Sequence, residues 1–488
     1  MNRMICILTV SALTFLPLAA EEIQFFGNGD FSKELGLYGY GQGKHAFSSD
    51  RNTTVKWESL AGYMRIALTG NAEKGRVRIR SYHSARLPAG LRLQISVKMR
   101  GRGKVQFEVA NTGIRTQWTA LTEQWQEYKL SLDCSHSCIG SIHNLFLHLE
   151  NRSAYVELDD LTISAVTFDG LIVPPVGALA VKPGSIVPEQ TFHVYPRDLR
   201  GSFLLCAPGS VKPVRSPAEA LLGKVTYPAF TAEKEGVYRL VFTTGGVSAM
   251  RDIVVMPEAE LAELEKAAQK VDLKGKPLRM LWLADSLTDN DRDHNHAAIT
   301  AGLLNKYNPG LITFRNAGIG GDISRNLQYR LESDRPVLRK YMYDGIWQET
   351  YDMIFISLGQ NDTVAYSKTQ FRKPRLPVKQ VEEHLRAVIR IIRKNSKARI
   401  VIVSGFSTPV NTSPNYRFGI PGLVENYNNS ARKVALENGA EYFDLYNILK
   451  NYSNEEKLCF YKEDLVHLSL AGHRFAALQY LKFLSSKN

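Results

Sequence analysis

The chain has 488 residues, enough for about three domains of ordinary size, with 44% hydrophobic and 22% charged residues. That balance excludes an intrinsically disordered or collagen-like chain. The formal charge of +13 invites an anionic partner, but the charge is dispersed and no nucleic-acid motif accompanies it.

Arg3, an apolar run over residues 5–18, and Ala19-Ala20 ahead of Glu21-Glu22 read as a secretory signal peptide over residues 1–20, although Leu18 is an unusual residue three positions before cleavage. Cys6 lies inside that run and no cysteine follows Ala20 directly, which argues against a lipid anchor. No later run reaches the roughly 18 apolar residues that span a bilayer. The sequence therefore predicts an exported protein, secreted or periplasmic, without membrane insertion. Four cysteines remain: Cys134 and Cys138, whose spacing leaves a short disulfide loop or two thiols equally open, and Cys206 and Cys459, which sit in apolar surroundings and read as small buried thiols. The His and Cys spacings match no zinc-ligand pattern.

Residues 21–167 form a succession of short alternating runs at 64–68, 76–82, 91–99, 104–109, 128–132, 145–149 and 155–163, separated by Gly, Asn and Ser, which predicts an antiparallel β-sandwich. Asn28-Gly29-Asp30-Phe31, Leu121-Thr122-Glu123-Gln124-Trp125 and Tyr155-Val156-Glu157-Leu158-Asp159-Asp160 resemble the jelly-roll carbohydrate-binding modules. That resemblance implies sugar stacking on aromatic rings, for which Tyr38, Tyr40, Trp57 and Trp118 are candidates, with Trp125 and Tyr128 as framework. It also implies a structural calcium held by Asp30 and Asp160.

Residues 168–256 open on Pro174-Pro175 and close on two strong β runs, 235–242 and 251–255, resembling the end of an immunoglobulin-like sandwich. No site stands out there, and a spacer role follows. Residues 257–273 read as a helical linker with Pro257 in its first turn. All candidate catalytic residues lie beyond it, so the sequence predicts a hydrolase unit able to work without the β modules.

From residue 274 to 488 buried-strand runs (278–283, 311–316, 353–358, 400–404, 442–445) alternate with helical stretches (380–395, 422–438, 471–483), which predicts a doubly wound α/β parallel sheet. The densest basic stretch, 368–399, reads as a basic loop followed by the solvated face of an amphipathic helix. His294 and His296 read as surface or core residues, and His473 as packed at the start of the last helix.

Four short blocks carry chemistry. Ala284-Asp285-Ser286 follows the first strand, where open sheets expose their ligands. Asn316-Ala317-Gly318-Ile319-Gly320-Gly321-Asp322, Ser357-Leu358-Gly359-Gln360-Asn361-Asp362 and Asp464-Leu465-Val466-His467 come after it. A serine hydroxyl needs a base and the base an orienting group, which His467 and Asp464 can supply. In this order the blocks resemble the SGNH (GDSL-type) hydrolases, with Ala284 where that family usually has Gly. The resemblance implies Ser286, Asp464 and His467 as catalytic residues and Ser286, Gly321 and Asn361 as oxyanion donors, Gly320 being the neighbouring alternative. It requires no cofactor and no metal.

Together with the sugar-binding-like module, the blocks predict a secreted esterase that removes O-acetyl groups from a polysaccharide or oligosaccharide. Two alternatives stand beside it: a lipid, aryl or thioester acylhydrolase with the same triad, and a non-catalytic glycan-binding protein.

Overall fold

The computed structural model describes residues 47–49, 55–60, 63–80, 92–109, 114–133, 144–165, 171–195, 197–210, 213–244, 248–289, 294–332, 343, 345–409 and 413–486. The expected signal peptide, Tyr38, Tyr40, Asp30, Cys134 and Cys138 lie outside them.

The first β region folds antiparallel strands around a core that includes Met64, Ile66, Ile95, Val105, Phe107, Leu149 and Val156. Four of the expected short strands are two long ones, Arg92–Val109 and Asn144–Ala165, paired along almost their whole length. The Gly-rich break over 101–103 marks a change of register, with shifts between Ser96 and Lys98 and between Arg102 and Lys104. Glycine is required there: a Cβ on Gly101 would stand 2.2 Å from the Tyr155 carbonyl oxygen.

The second β region packs sheets over a core centred on Phe192, Phe203, Tyr227 and Phe242. Its five-stranded sheet ends with Leu179–Val181 lying parallel to Ser248–Val255.

The α/β region begins with helix α1 (Glu258–Gln269) and a central sheet of β1 (Leu278–Ala284), β2 (Ile312–Asn316), β3 (Met353–Ser357), β4 (Arg399–Val403) and β5 (Glu441–Phe443). All neighbours run parallel, in the order β2-β1-β3-β4-β5. Helices α2 (His296–Tyr307), α3 (Ser324–Leu331), α4 (Val378–Asn395), α5 (Pro421–Glu437), α6 (Leu445–Lys450), α7 (Asn454–Leu458) and α8 (Leu470–Ser485) complete it.

Strand alternation sorts the two faces. Met280, Trp282, Phe355, Val401 and Val403 join the core under α1, α2 and α8, whereas Leu281, Leu283, Ile354, Ile356, Ile400 and Ile402 join the core under α3, α4 and α5. Trp282 is fully buried and stacks on Phe355 at 4.7 Å.

Helix α1 is more than a tether. Leu264, Ala267 and Ala268 are buried in the same core as Trp282 and Tyr480, and Glu260, Glu263 and Glu265 pair with Arg474, Lys482 and Lys306. The second β region enters that core as well, through Ala178, Ala180, Val254 and Met256. The Ala178 N–H donates to the Ala298 carbonyl of α2 at 2.8 Å, an approach that Gly177 and Gly302 permit, since a Cβ on Gly302 would stand 1.8 Å from the Ala178 oxygen.

Two expectations about cysteine are corrected. Cys206 is disulfide-bonded rather than a thiol, its partner lying outside the described residues. Cys459 is a free thiol but exposed, because it caps the end of the short helix α7 with its Sγ on the Glu456 carbonyl. Apolar neighbours in sequence did not bury either of them.

Candidate active site

The strand order reverses between β1 and β3, the place where open α/β sheets bind ligands at their carboxyl edge. Ser286 follows β1 at that edge and Asn361 follows β3. Asp285 shapes the turn by accepting the Leu287 N–H on its carboxylate and the Thr288 N–H on its carbonyl. Ala284 stays inside the strand, buried and absent from the residues with positive φ, so the methyl group in place of glycine demands no special backbone.

The block around His467 is a tight turn built by Asp464. Its Oδ1 accepts the backbone N–H groups of Val466 and His467 at 3.0 and 2.9 Å, and Leu465 between them holds a φ of 57°. Asp464 Oδ2 lies 2.5 Å from His467 Nδ1, and His467 Nε2 lies 3.1 Å from Ser286 Oγ. Burial pushes the Asp464 carboxyl up, but hydrogen bonds from the His467 ring and from the His467 and Val466 backbones outweigh it and hold it below the usual carboxylate range. An ionised Asp464 can only accept, so Nδ1 carries the imidazole proton and Nε2 faces the serine as an acceptor. The Ser286 hydroxyl therefore donates to His467.

The second block supplies the other wall. Gly320 N–H donates to Asp289 Oδ2 at 2.7 Å, whereas the N–H groups of Ser286 and Gly321 have no acceptor among the described residues. Gly321 holds a φ of 75°, which favours glycine at that point. Asn361 is 9% exposed and its Nδ2 donates to Asp285 Oδ2 at 3.3 Å.

Each block brings its own acid, a regularity visible in the sequence but not used there. Asp285 orients Asn361, Asp289 ties down Gly320, Asp322 pairs with the fully buried Arg330, and Asp362 accepts from the Ser324 hydroxyl at 2.6 Å. Burial raises Asp362 to about 6, against the lowering effect of the Ser324 hydrogen bonds. None of these acids touches Ser286 Oγ or His467 in the bonds above; they fix the loops that carry the donors.

Behind the site His294, His296 and His473 are all buried. His296 stacks on Tyr480 at 5.1 Å and its Nδ1 lies 3.4 Å from that of His473, while burial and then the neighbouring His294 push it down to about 3. They are core residues. A cavity of about 410 Å³ lined by Arg279, Trp347, Asp352 and Arg399 opens at the opposite, amino-terminal edge of the sheet, away from Ser286.

Of the expected glycan and calcium positions, Trp57, Trp118 and Asp160 lie among the described residues. Trp57 lies in the strand Val55–Leu60, and Trp118 is exposed on the first β region. Trp125, expected as framework, is as exposed as Trp118 and meets the Tyr63 ring edge-on at 5.7 Å, with the Arg100 guanidinium 4.8 Å from its own ring. Asp160 pairs with Lys98 at 2.6 Å. Among the described residues no three His, Cys, Asp or Glu side chains are grouped to hold a metal, and no helix is long and apolar enough to cross a membrane.

Residues 285–475 match the GDSL-like lipase/acylhydrolase family, a stretch that contains Ser286, Gly321, Asn361, Asp464 and His467. Among solved structures the chain is similar to a mutant of an acetyl-xylooligosaccharide esterase from Geobacillus, with 23% identity over 43% of this chain and 95% of that one and a TM-score of 0.33. It is also similar to a GDSL-like lipase from Parabacteroides merdae (22% identity, 44% and 99% covered, TM-score 0.34). A lipase/acylhydrolase from Enterococcus faecalis shows 16% identity, with 43% and 96% covered and a TM-score of 0.33. None of the curated proteins compared matches the chain.

Proposed function

We propose that this chain, which carries a GDSL-like lipase/acylhydrolase domain, is an exported serine esterase that removes O-acetyl groups from polysaccharides or oligosaccharides. The observation that carries the esterase chemistry is the relay Asp464–His467–Ser286, joined at 2.5 and 3.1 Å across two separate turns. In the reaction Ser286 Oγ attacks the acetyl carbonyl carbon while its proton passes to His467 Nε2, and Asp464 stabilises the imidazolium. The oxygen of the tetrahedral intermediate takes the Ser286 and Gly321 N–H groups and the Asn361 amide. Collapse breaks the ester bond, and the leaving sugar oxygen takes the proton back from His467. Water then attacks the acetyl-serine with His467 again as base, releasing acetate.

The openness of the site supports a polymeric alcohol. The His467 and Asp464 side chains are 25% and 48% exposed, so the relay lies near the surface rather than at the bottom of an apolar tunnel. The sugar-binding-like β region supports the same substrate class, and a disulfide at Cys206 suits an oxidising compartment.

Acetate release from acetylated xylan, mannan and pectin, set against hydrolysis of long-chain acyl esters, tests the proposal. Acetate is expected from at least one polymer, and Ser286→Ala should abolish it while leaving the circular dichroism spectrum intact. Preference for the long-chain esters would replace the carbohydrate reading with a lipid one. Turnover by the variant within about tenfold of wild type would remove Ser286 as nucleophile, since loss of a triad serine costs far more.

A further inference from the structure

The loop that leaves Asn361 carries three cations, Lys368, Arg372 and Lys373, that form no ion pair among the described residues. After Asp362 the chain runs outward, pairs Ala365–Tyr366 with Tyr416–Arg417, and returns, with Ala365 bridging Pro374. On its return the Leu376 N–H donates to the Asp362 carbonyl and Arg375 Nη1 reaches the Gly321 carbonyl at 3.5 Å. Both ends of the excursion are thus tied to residues beside the oxyanion donors.

Residues 364–379 contain Lys368, Arg372, Lys373, Arg375 and Lys379 and no acid, and residues 413–420 add Arg417 and no acid. Several cations elsewhere on this domain find partners, Arg386 with Glu382 and Glu437, Arg399 with Glu441 and Lys450 with Glu425, while others such as Arg390 and Lys394 on α4 form no ion pair among the described residues. Among the described residues Lys368, Arg372, Lys373 and Arg417 form no ion pair. Arg417 and Lys368 lie instead over aromatic rings, 4.1 Å from the centre of Phe371 and 5.9 Å from that of Tyr366. Tyr416 is 39% exposed and meets Phe418 edge-on at 5.7 Å. Gln370 and Phe371 hold φ of 52° and 59° in succession, a conformation that costs a non-glycine residue on the order of 1–3 kcal/mol and persists where surrounding structure enforces it.

Cations without ion-pair partners beside the exposed Tyr416 and the half-buried Tyr366, Phe371 and Phe418, on a loop tied down next to the oxyanion donors, match the chemistry of a charged sugar: the exposed ring takes a pyranose face and the cation its acid group. We propose that this ledge is a subsite for an anionic glycan, placing a carboxylate or sulfate of the polymer beside the acetylated sugar. The assignment rests on the esterase reading above and narrows its substrate to acidic polysaccharides.

The test is the full chain carrying Lys368→Ala, Arg372→Ala and Lys373→Ala together, with Arg375 left intact because it touches Gly321. Hydrolysis of 4-nitrophenyl acetate should stay within about twofold of wild type, since these three exposed side chains form no bond with the relay or the oxyanion donors. On O-acetylated pectin or an O-acetylated sulfated galactan KM should rise about tenfold with kcat unchanged, the expected sum of three screened contacts, while O-acetylated mannan is unaffected. The wild type should show the same rise on the acidic polymers in about 0.5 M salt. The pectin and galactan arms separate carboxylate from sulfate.

An unchanged KM in the triple variant, or equal wild-type KM for neutral and acidic polymers, overturns the subsite. Equal retention by single-stranded DNA would also overturn it, marking a general polyanion surface. Should no polymer yield acetate although the small ester is cleaved, the carbohydrate reading fails by itself. Migration of wild type and variant through gels containing deacetylated polygalacturonate or sulfated galactan then decides the ledge, because loss of retardation in the variant reads binding without chemistry.

Discussion

At the scale of single residues the site depends on donors aimed before the substrate arrives. Asn361 is held by Asp285 at 3.3 Å, a long bond that a developing oxyanion can outcompete. Asn361→Ala should therefore lower kcat by about a hundredfold to a thousandfold with little change in KM, as loss of one oxyanion donor does. A change confined to KM would make Asn361 a ground-state binding group. The hydrogen bonds from His467 and Val466 keep Asp464 ionised below the usual carboxylate range, so the acid limb of kcat/KM should report one ionisation, that of the imidazole. Asp464→Asn should reduce kcat while that limb stays that of an imidazole. A variant as active as wild type would remove Asp464 as the orienter.

At the scale of elements, much was legible because period and chemistry agreed. The five apolar runs of the α/β region became β1 to β5 within a residue or two, since a strand buried on both faces needs continuous Leu, Ile and Val. The relay geometry was legible only as residue types: nothing in Asp464-Leu465-Val466-His467 states that Leu465 takes a left-handed conformation so that one carboxylate serves two backbone donors and a ring. The long strands Arg92–Val109 and Asn144–Ala165 were split at Gly and at Asn-Arg-Ser because turn residues and β-bulges share a composition. His473 was legible as a packed residue, but the choice between surface and core for His296 was not, because its burial depends on Tyr480, far along the chain.

That burial has a pH consequence. His296 titrates near 6.5 when unfolded and is pushed down to about 3 when folded, so its contribution to stability is full above pH 6.5 and is lost as pH falls toward 3. Asp362, raised to about 6, acts oppositely: its contribution is full below 3.8 and is lost as pH rises through 6. Replacing His296 by Phe, which keeps the ring stack, isolates the first effect. Wild type should lose up to about 2 kcal/mol more than the variant between pH 6.5 and 5, at about 1.4 kcal/mol per pH unit for one proton, read from urea midpoints. Parallel curves would assign the acid sensitivity to other groups.

At the scale of the whole molecule, the question is whether the hydrolase is a separable unit. All site residues lie beyond Lys274, and composition alone marks the preceding segment as a linker. Packing argues otherwise, because Leu264, Ala267, Ala268 and Val271 cover the core between α2 and α8, and Ala178 lies against α2 through Gly302. A chain beginning at Lys274 would expose that face, forfeiting about 1.5–3 kcal/mol for Leu264 alone. It should be insoluble or melt well below the intact protein. A chain beginning at Leu171 keeps the face covered, because α1 and Ala178 remain, and should cleave a small acetyl ester within about twofold of the full-length rate, although Cys206 loses its disulfide partner, which precedes Leu171. Gly302→Val in the full chain probes the same seam without truncation: the added side chain meets the Ala178 carbonyl, so stability should fall by about 1–3 kcal/mol or more. If the chain from Lys274 is soluble, as stable as the longer one and fully active, the contacts through α1 and Gly302 are incidental, and the β regions act only as attachments. The opposite result makes the second β region and α1 part of the hydrolase fold, leaving only the first β region as a targeting module.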